Sequence, residues 1–238
     1  MTQPRPRDFL DRTLWPALAL LAATLVLFEV THLDLWVQDH FYDFTAKRWI
    51  VDGNEPVGRF FFYNAPKILV FIIAAALLAL AFGPARWRDR LRFGRRELFL
   101  AILTLATVPA LAGAGKAYTN IFCPSEIRRY NGDVPYIRLC ESYPADDTPT
   151  RTGRCFPAGH ASGGFALMGL AWLRAGSRRW RLGGIALGLG LGLWMAVYQM
   201  LKGAHYLSHT TTTMILAWII VLLWRRILRC EGATCAPA

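Results

Sequence analysis

Five basic or imidazole side chains stand where apolar runs meet polar ones. Lys116 closes the run from Leu98 to Ala114, His160 precedes the run from Phe165 to Leu173, and Lys202, His205 and His209 fill the short gap between Met200 and Met214. Imidazoles can attack an electrophile or carry a proton, and ammonium groups beside them favour an anion, so this set of residue types suits catalysis on an anionic group. Pro157, Ala158 and Gly159 come just before His160. A helix starting there presents free backbone N–H groups and the positive end of its dipole, which favours an anion. His205 and His209 are four residues apart, which places them on one face of a helical path. A lone lysine or histidine at the end of an apolar run is ordinarily an interfacial anchor; the coincidence of five is the signal.

The elements that must position these residues are membrane helices. The chain has 238 residues, 54% of them hydrophobic and 18% charged, and the apolar residues are clumped rather than alternating. The expected fold is all-α, a polytopic membrane protein with six transmembrane helices in a single domain over residues 1–238. Spans are expected at 15–30, 59–81, 97–115, 160–174 and 183–203, with a sixth ending at Trp224, against the ~20 residues that cross a bilayer. The first run is read as a retained span, because no small-x-small cleavage pattern follows Val30.

The formal charge is +11. Its arginines fall in blocks: Arg5, Arg7 and Arg12, then Arg86 to Arg96, then Arg174 to Arg181, then Arg225, Arg226 and Arg229. These are alternate loops, so the positive-inside rule puts both termini in the cytoplasm and the five reactive residues on the outer face of a bacterial inner membrane. Blocks of this kind hold topology against anionic lipid, and no nucleic-acid partner is expected.

Two outer segments are long. Residues 31–59 mix Trp36, Phe41, Tyr42, Phe44 and Trp49 with charges, which suits a short helix lying at the interface. Residues 117–156 form a polar loop dense in turn formers, and long loops are often functional. The loop holds Cys123, Cys140 and Cys155. A Cys123–Cys155 disulfide is preferred, since it ties the end of the third span to the start of the fourth, and Cys140–Cys155 is the alternative. Cys230 and Cys235 are expected to be reduced.

Three local patterns then line up: Lys116-x6-Cys123-Pro124, Pro157-Ala158-Gly159-His160 and Tyr198-Gln199-x5-His205-x3-His209. In order, spacing and location, across residues 95–225, they resemble the motifs of the type 2 phosphatidic acid phosphatase family, Lys-x6-Arg-Pro, Pro-Ser-Gly-His and Ser-Arg-x5-His-x3-Asp. These are membrane phosphatases related in their helical core to vanadium haloperoxidases. Departures from the pattern are Cys123 for arginine, Ala158 for serine, Gln199 for arginine and His209 for aspartate. Lys202, one helical turn after Gln199, and Arg128 and Arg129, just after Cys123, are the expected substitutes for the missing cations.

The resemblance implies that His205 attacks phosphorus to form a phosphohistidine while His160 protonates the leaving oxygen and later activates water. Lys116, Lys202, Arg128, Arg129 and the Gly159 N–H would bind the phosphate. His209 would accept the hydrogen bond that holds His205, with Asp133, Glu126 and Glu141 as alternatives. The implied partner is a phosphorylated membrane lipid within the bilayer: lipid A, an isoprenyl diphosphate, phosphatidic acid or phosphatidylglycerophosphate. A phosphotransferase differs only in what attacks the phosphohistidine. No cofactor and no metal are expected, although His160, His205 and His209 have residue types that suit zinc. Lysines nearby oppose a cation. The rival of another class is an inactive descendant that binds or moves lipids.

Overall fold

The computed structural model of the protein describes residues 6–174, 176–228 and 230; Arg5, Arg229 and Cys235 lie outside the described residues. The chain is helical throughout its apolar runs: α1 (Pro6–Val30), α2 (Leu33–Asp39), α3 (Pro56–Arg59), α4 (Ala65–Phe82), α5 (Ala85–Leu91), α6 (Arg95–Tyr118), α7 (Gly159–Ala166), α8 (Arg178–Leu201) and α9 (Leu207–Ile227). A two-stranded hairpin, β1 (Tyr42–Asp43) with β2 (Arg48–Trp49), follows α2.

Five stretches are long and apolar enough to cross a membrane: Thr13–Val30, Pro56–Phe82, Arg95–Tyr118, Arg178–Leu201 and Leu207–Ile227. The sixth expected span, at 160–174, has a different form. It is the eight-residue α7 followed by six residues of 3-10 helix, Leu167–Trp172. At rises of about 1.5 and about 2.0 Å per residue the pair is shorter than a hydrocarbon core of about 30 Å. Its surroundings account for this. α4, α6, α8 and α9 pack around the segment, and Phe165, Ala166, Leu167 and Met168 are buried against protein rather than presented to lipid.

Glycine makes that enclosure close. Gly184 and Gly188, one turn apart on α8, have backbone atoms of Ala171 and Met168 where a side chain would start, each within 2.5 Å of an added Cβ, and Gly192 faces the Phe165 ring. Small residues at this spacing let membrane helices approach to backbone contact. Exposed apolar side chains lie elsewhere, as on α4, where Phe71, Ile72 and Phe82 are exposed, and on α1, where Leu20, Val26 and Val30 are.

Before α4 the helix widens into a π-turn over Phe60–Asn64. Pro66 follows at once. It lacks an N–H and clashes with the carbonyl four residues back, that of Phe62, so the regular ladder opens there. The wide turn turns Tyr63 inward, while Phe62 stacks on Trp194 and Tyr198 of α8.

One end of the bundle is capped by residues 31–55 and 119–158. The expected interfacial helix is α2, and it is docked rather than free: Gln38 Nε2 donates to the Met200 carbonyl at 2.7 Å, and Ser208 N donates to Asp34 Oδ1 at 2.8 Å. The polar loop is tied by the Cys123–Cys155 disulfide. Cys140 is exposed and Cys230 buried, both outside that bond. Tyr42, Phe122, Ile127, Tyr130, Val134 and Tyr206 form a separate small core between the two capping segments.

Candidate active site

The last turn of α6, the first of α7, the last of α8 and the first of α9 meet beneath the cap. Thr119 Oγ1, just after α6, donates to the carbonyl of Phe156 at 2.5 Å. The Gly115 Cα is so close to Pro157 that an added Cβ would lie 2.6 Å from its Cδ. Ala158 N donates to the His209 carbonyl at 3.3 Å, and Thr213 Oγ1 donates to that of Ala158 at 3.2 Å, which pins the start of α7 to α9.

α8 ends in a Schellman turn. Ala204 N donates to the Gln199 carbonyl at 2.8 Å and Gly203 N to that of Met200 at 3.0 Å, with Gly203 at φ +74°. Glycine reaches this left-handed conformation without a Cβ penalty. The turn swings the chain so that His205 enters the bundle before α9 begins at Leu207.

Lys116, Gly159, His160, Lys202 and His205 are brought together. His160 Nδ1 lies 3.3 Å from His205 Nε2. A Cβ on Gly159 would lie 3.1 Å from Lys116 Cε and 3.4 Å from its Nζ, so the absence of a side chain is what lets the ammonium lie over the start of α7. Lys202 Nζ is 5.4 Å from the Tyr63 ring and 5.1 Å from that of Tyr198. Among the described residues, no ion pair engages Lys116, Lys202 or Lys67.

Sequence reasoning passed over Tyr63 and Lys67. The Tyr63 hydroxyl is 3.2 Å from His160 Nε2, and Lys67 Nζ donates to the same hydroxyl at 3.0 Å. A tyrosine and a lysine four residues apart at the start of an apolar helix look like interfacial anchors. The one hint was Pro66, which widens the turn that carries Tyr63.

Several expected contacts are absent. His209 does not hold His205: the two rings meet edge to face with centroids 5.7 Å apart, and the buried His209 Nδ1 has no hydrogen-bond partner among the described residues. His205 Nδ1 instead lies 3.4 Å from Cys155 Sγ. Arg128 is taken by Asp147 at 2.5 Å, and Arg129 by Asp39 at 2.6 Å, so neither replaces the motif arginine. Glu126 and Asp133 both bind Arg151, and Glu141 binds Arg138. The carboxylates of the loop are thus spent on its own arginines.

Burial is uneven across the pair. His205 is 2% exposed while His160 is half-buried. Burial first, then His209, Lys116, His160 and Lys202 around it, hold the His205 imidazole well below its ordinary 6.5, so the ring is neutral near pH 7. Burial and the neighbouring Arg59 push the Lys202 ammonium down as well. As a metal centre the site is poorly made. Cys155, His205 and His209 have ligand atoms within 4.8 Å of one another, but the Cys155 sulfur is held by Cys123 and offers no thiolate. His160 Nε2 is turned away, to Tyr63.

Two imidazoles face each other across 3.3 Å beside ammonium groups that form no ion pair among the described residues. The model of the PAP2 superfamily matches residues 97–231, more than half of the chain. The chain belongs to the PAP2 superfamily. Neither the curated proteins nor the solved structures contain a match to it. PAP2 proteins are phosphatases, so this chain is a phosphatase of a phosphorylated substrate, embedded through its apolar helices in a membrane. The PAP2 match takes in Lys116, Gly159, His160, Lys202, His205 and His209 and leaves out α1, α2, α3 and α4, and with them Tyr63 and Lys67.

Proposed function

We propose that the protein removes a phosphate group from a membrane lipid through a phosphohistidine on His205, without a metal, on the outer face of a bacterial inner membrane with both termini in the cytoplasm. The observation that carries this reading is the opposition of His160 Nδ1 and His205 Nε2 at 3.3 Å, with Lys116 lying on Gly159 beside them. A phosphate admitted between the rings would meet a nucleophile on one side and a proton carrier on the other.

The steps balance as follows. The neutral His205 Nε2 forms a bond to phosphorus, and the bond from phosphorus to the lipid oxygen breaks. His160, an imidazolium once the phosphate dianion has entered between the rings, gives its second proton to that oxygen and becomes neutral. Water then attacks the phosphohistidine, His160 takes its proton, and inorganic phosphate leaves. Lys116, Lys202 and Lys67 face charge that spreads over the equatorial oxygens, the chief demand of phosphoryl transfer. Transfer to an alcohol instead of water uses the same first half. Lipid A, an isoprenyl diphosphate, phosphatidic acid and phosphatidylglycerophosphate all present a phosphate at the depth of the helix ends.

Purified protein in detergent, offered these lipids side by side, should release inorganic phosphate from at least one. Vanadate should inhibit and a chelator should not. Loss of activity with chelator would favour the zinc reading, and no release from any lipid would favour a lipid-binding role.

A further inference from the structure

Four consecutive hydrogen bonds run from Lys67 to Cys155 through both imidazoles. Lys67 Nζ is 3.0 Å from Tyr63 Oη, Tyr63 Oη is 3.2 Å from His160 Nε2, His160 Nδ1 is 3.3 Å from His205 Nε2, and His205 Nδ1 is 3.4 Å from Cys155 Sγ. The two ends fix the direction of every link. An ammonium has donors and no acceptor. A disulfide sulfur has lone pairs and no hydrogen, and Cys155 is bonded to Cys123.

Lys67 therefore donates, Tyr63 accepts from it and gives its one hydrogen to His160 Nε2, and His160 donates from Nδ1. His205 accepts at Nε2 and donates from Nδ1 to the sulfur. Each neutral ring then has one donor and one acceptor, both satisfied. The Ala204 carbonyl oxygen also lies 3.0 Å from this sulfur, but in the oxidised protein it receives no hydrogen from it.

We infer that the Cys155 sulfur, while joined to Cys123, is the positioning group that holds His205 as its Nδ1–H tautomer and turns the Nε2 lone pair towards the pocket. The inference rests on the proposed role of His205 as nucleophile. The family motif places a carboxylate four residues after this histidine, where the chain has His209, and the His209 ring packs on Phe156 and Tyr206 instead. A neutral sulfur is a weak acceptor: it orients the ring without adding negative charge.

Two variants separate positioning from cross-linking. Cys123→Ala and Cys155→Ala both lack the disulfide, but Cys123→Ala keeps a sulfur beside His205. Loss of the group that fixes the tautomer of a reactive histidine lowers kcat by up to about 10^4. Cys155→Ala is expected to have a kcat at least about tenfold below that of Cys123→Ala with KM unchanged, and Cys155→Asp in the Cys123→Ala background is expected to recover it. Equal kcat in the two single variants would overturn the inference. Should the variants not fold, nitrogen NMR of the histidine-labelled wild-type protein decides: a protonated Nδ1 on His205 is expected, and a protonated Nε2 overturns the inference. Full turnover by His205→Ala would overturn the nucleophile reading instead, and the wild-type tautomer would still decide the positioning.

Discussion

The hydroxyl of Tyr63 lies 3.2 Å from Nε2 of His160, across a sequence separation of 97 residues. The contact joins the π-turn before α4, which lies outside the segment matched to the family, to the histidine that must carry the proton. It leaves Nδ1 of His160 as the nitrogen directed at His205.

Tyr63→Phe removes the hydroxyl and leaves the ring. The change takes from the half-buried His160 Nε2 the hydroxyl that fixes the ring of the proton carrier. The expected outcome is a fall in kcat of roughly tenfold or more, with KM and the melting temperature little changed. A variant with unchanged kcat would reduce Tyr63 to packing.

The cations divide by what already neutralises them. Lys116 and Lys202 have no ion pair among the described residues, whereas Arg128 and Arg129 are satisfied by Asp147 and Asp39. Lys116→Ala and Lys202→Ala should each lower kcat/KM by about 10^2 or more, the scale of removing one transition-state donor. Arg128→Ala should stay within about threefold, since exposed pairs contribute about 0–1 kcal/mol. Equal effects of Lys202→Ala and Arg179→Ala would mark Lys202 as an interfacial anchor.

Two glycines should fail in different ways. Gly159→Ala puts a methyl group 3.4 Å from Lys116 Nζ, so it should reduce turnover while the protein still folds. Gly192→Ala drives a methyl group into the Phe165 ring and should lower stability by about 1–3 kcal/mol through overpacking. Thermal melting beside kinetics distinguishes them.

The acid limb of activity follows from His205. Its imidazole is held well below 6.5 by burial and by His209, Lys116, His160 and Lys202, so it stays a neutral nucleophile as pH falls past the value of a free imidazole. The unfolded ring takes up a proton near 6.5 that the folded ring refuses, so this residue's contribution to stability is full above 6.5 and is lost as pH falls towards the folded value. The kcat/KM profile should therefore lose activity only below 6.5, together with a fall in melting temperature. An acid limb at or above 6.5 would mean that the titrating group is not the buried ring.

Much of this was legible in the chain. Lys116, His160, Lys202 and His205 were visible because hydropathy fixes where apolar runs end and the spacing supplies the rest. The same topology favoured the Cys123–Cys155 bond over the alternative Cys140–Cys155, and Cys123–Cys155 is the pair that forms. The short form of the fourth segment was not visible, because an apolar run reads as a span whether or not other helices enclose it. Arg128 and Arg129 were misjudged because their carboxylates come from far away in sequence, Asp147 and Asp39. His209 was assigned the hydrogen bond of His205 from helical spacing, yet His205 precedes α9 in an irregular turn, and its Nδ1 faces a sulfur 50 residues away. Ala158, where the family carries serine, offers no hydroxyl of its own, and its backbone is bound to α9 on both sides.

The most direct measurement is to find the phosphoryl group itself. Protein mixed with a substrate lipid, quenched in alkali and digested, should yield by mass spectrometry a phosphohistidine on the peptide that carries His205, absent from His205→Ala. Phosphate on another residue, or turnover by His205→Ala at the wild-type rate, would contradict the account.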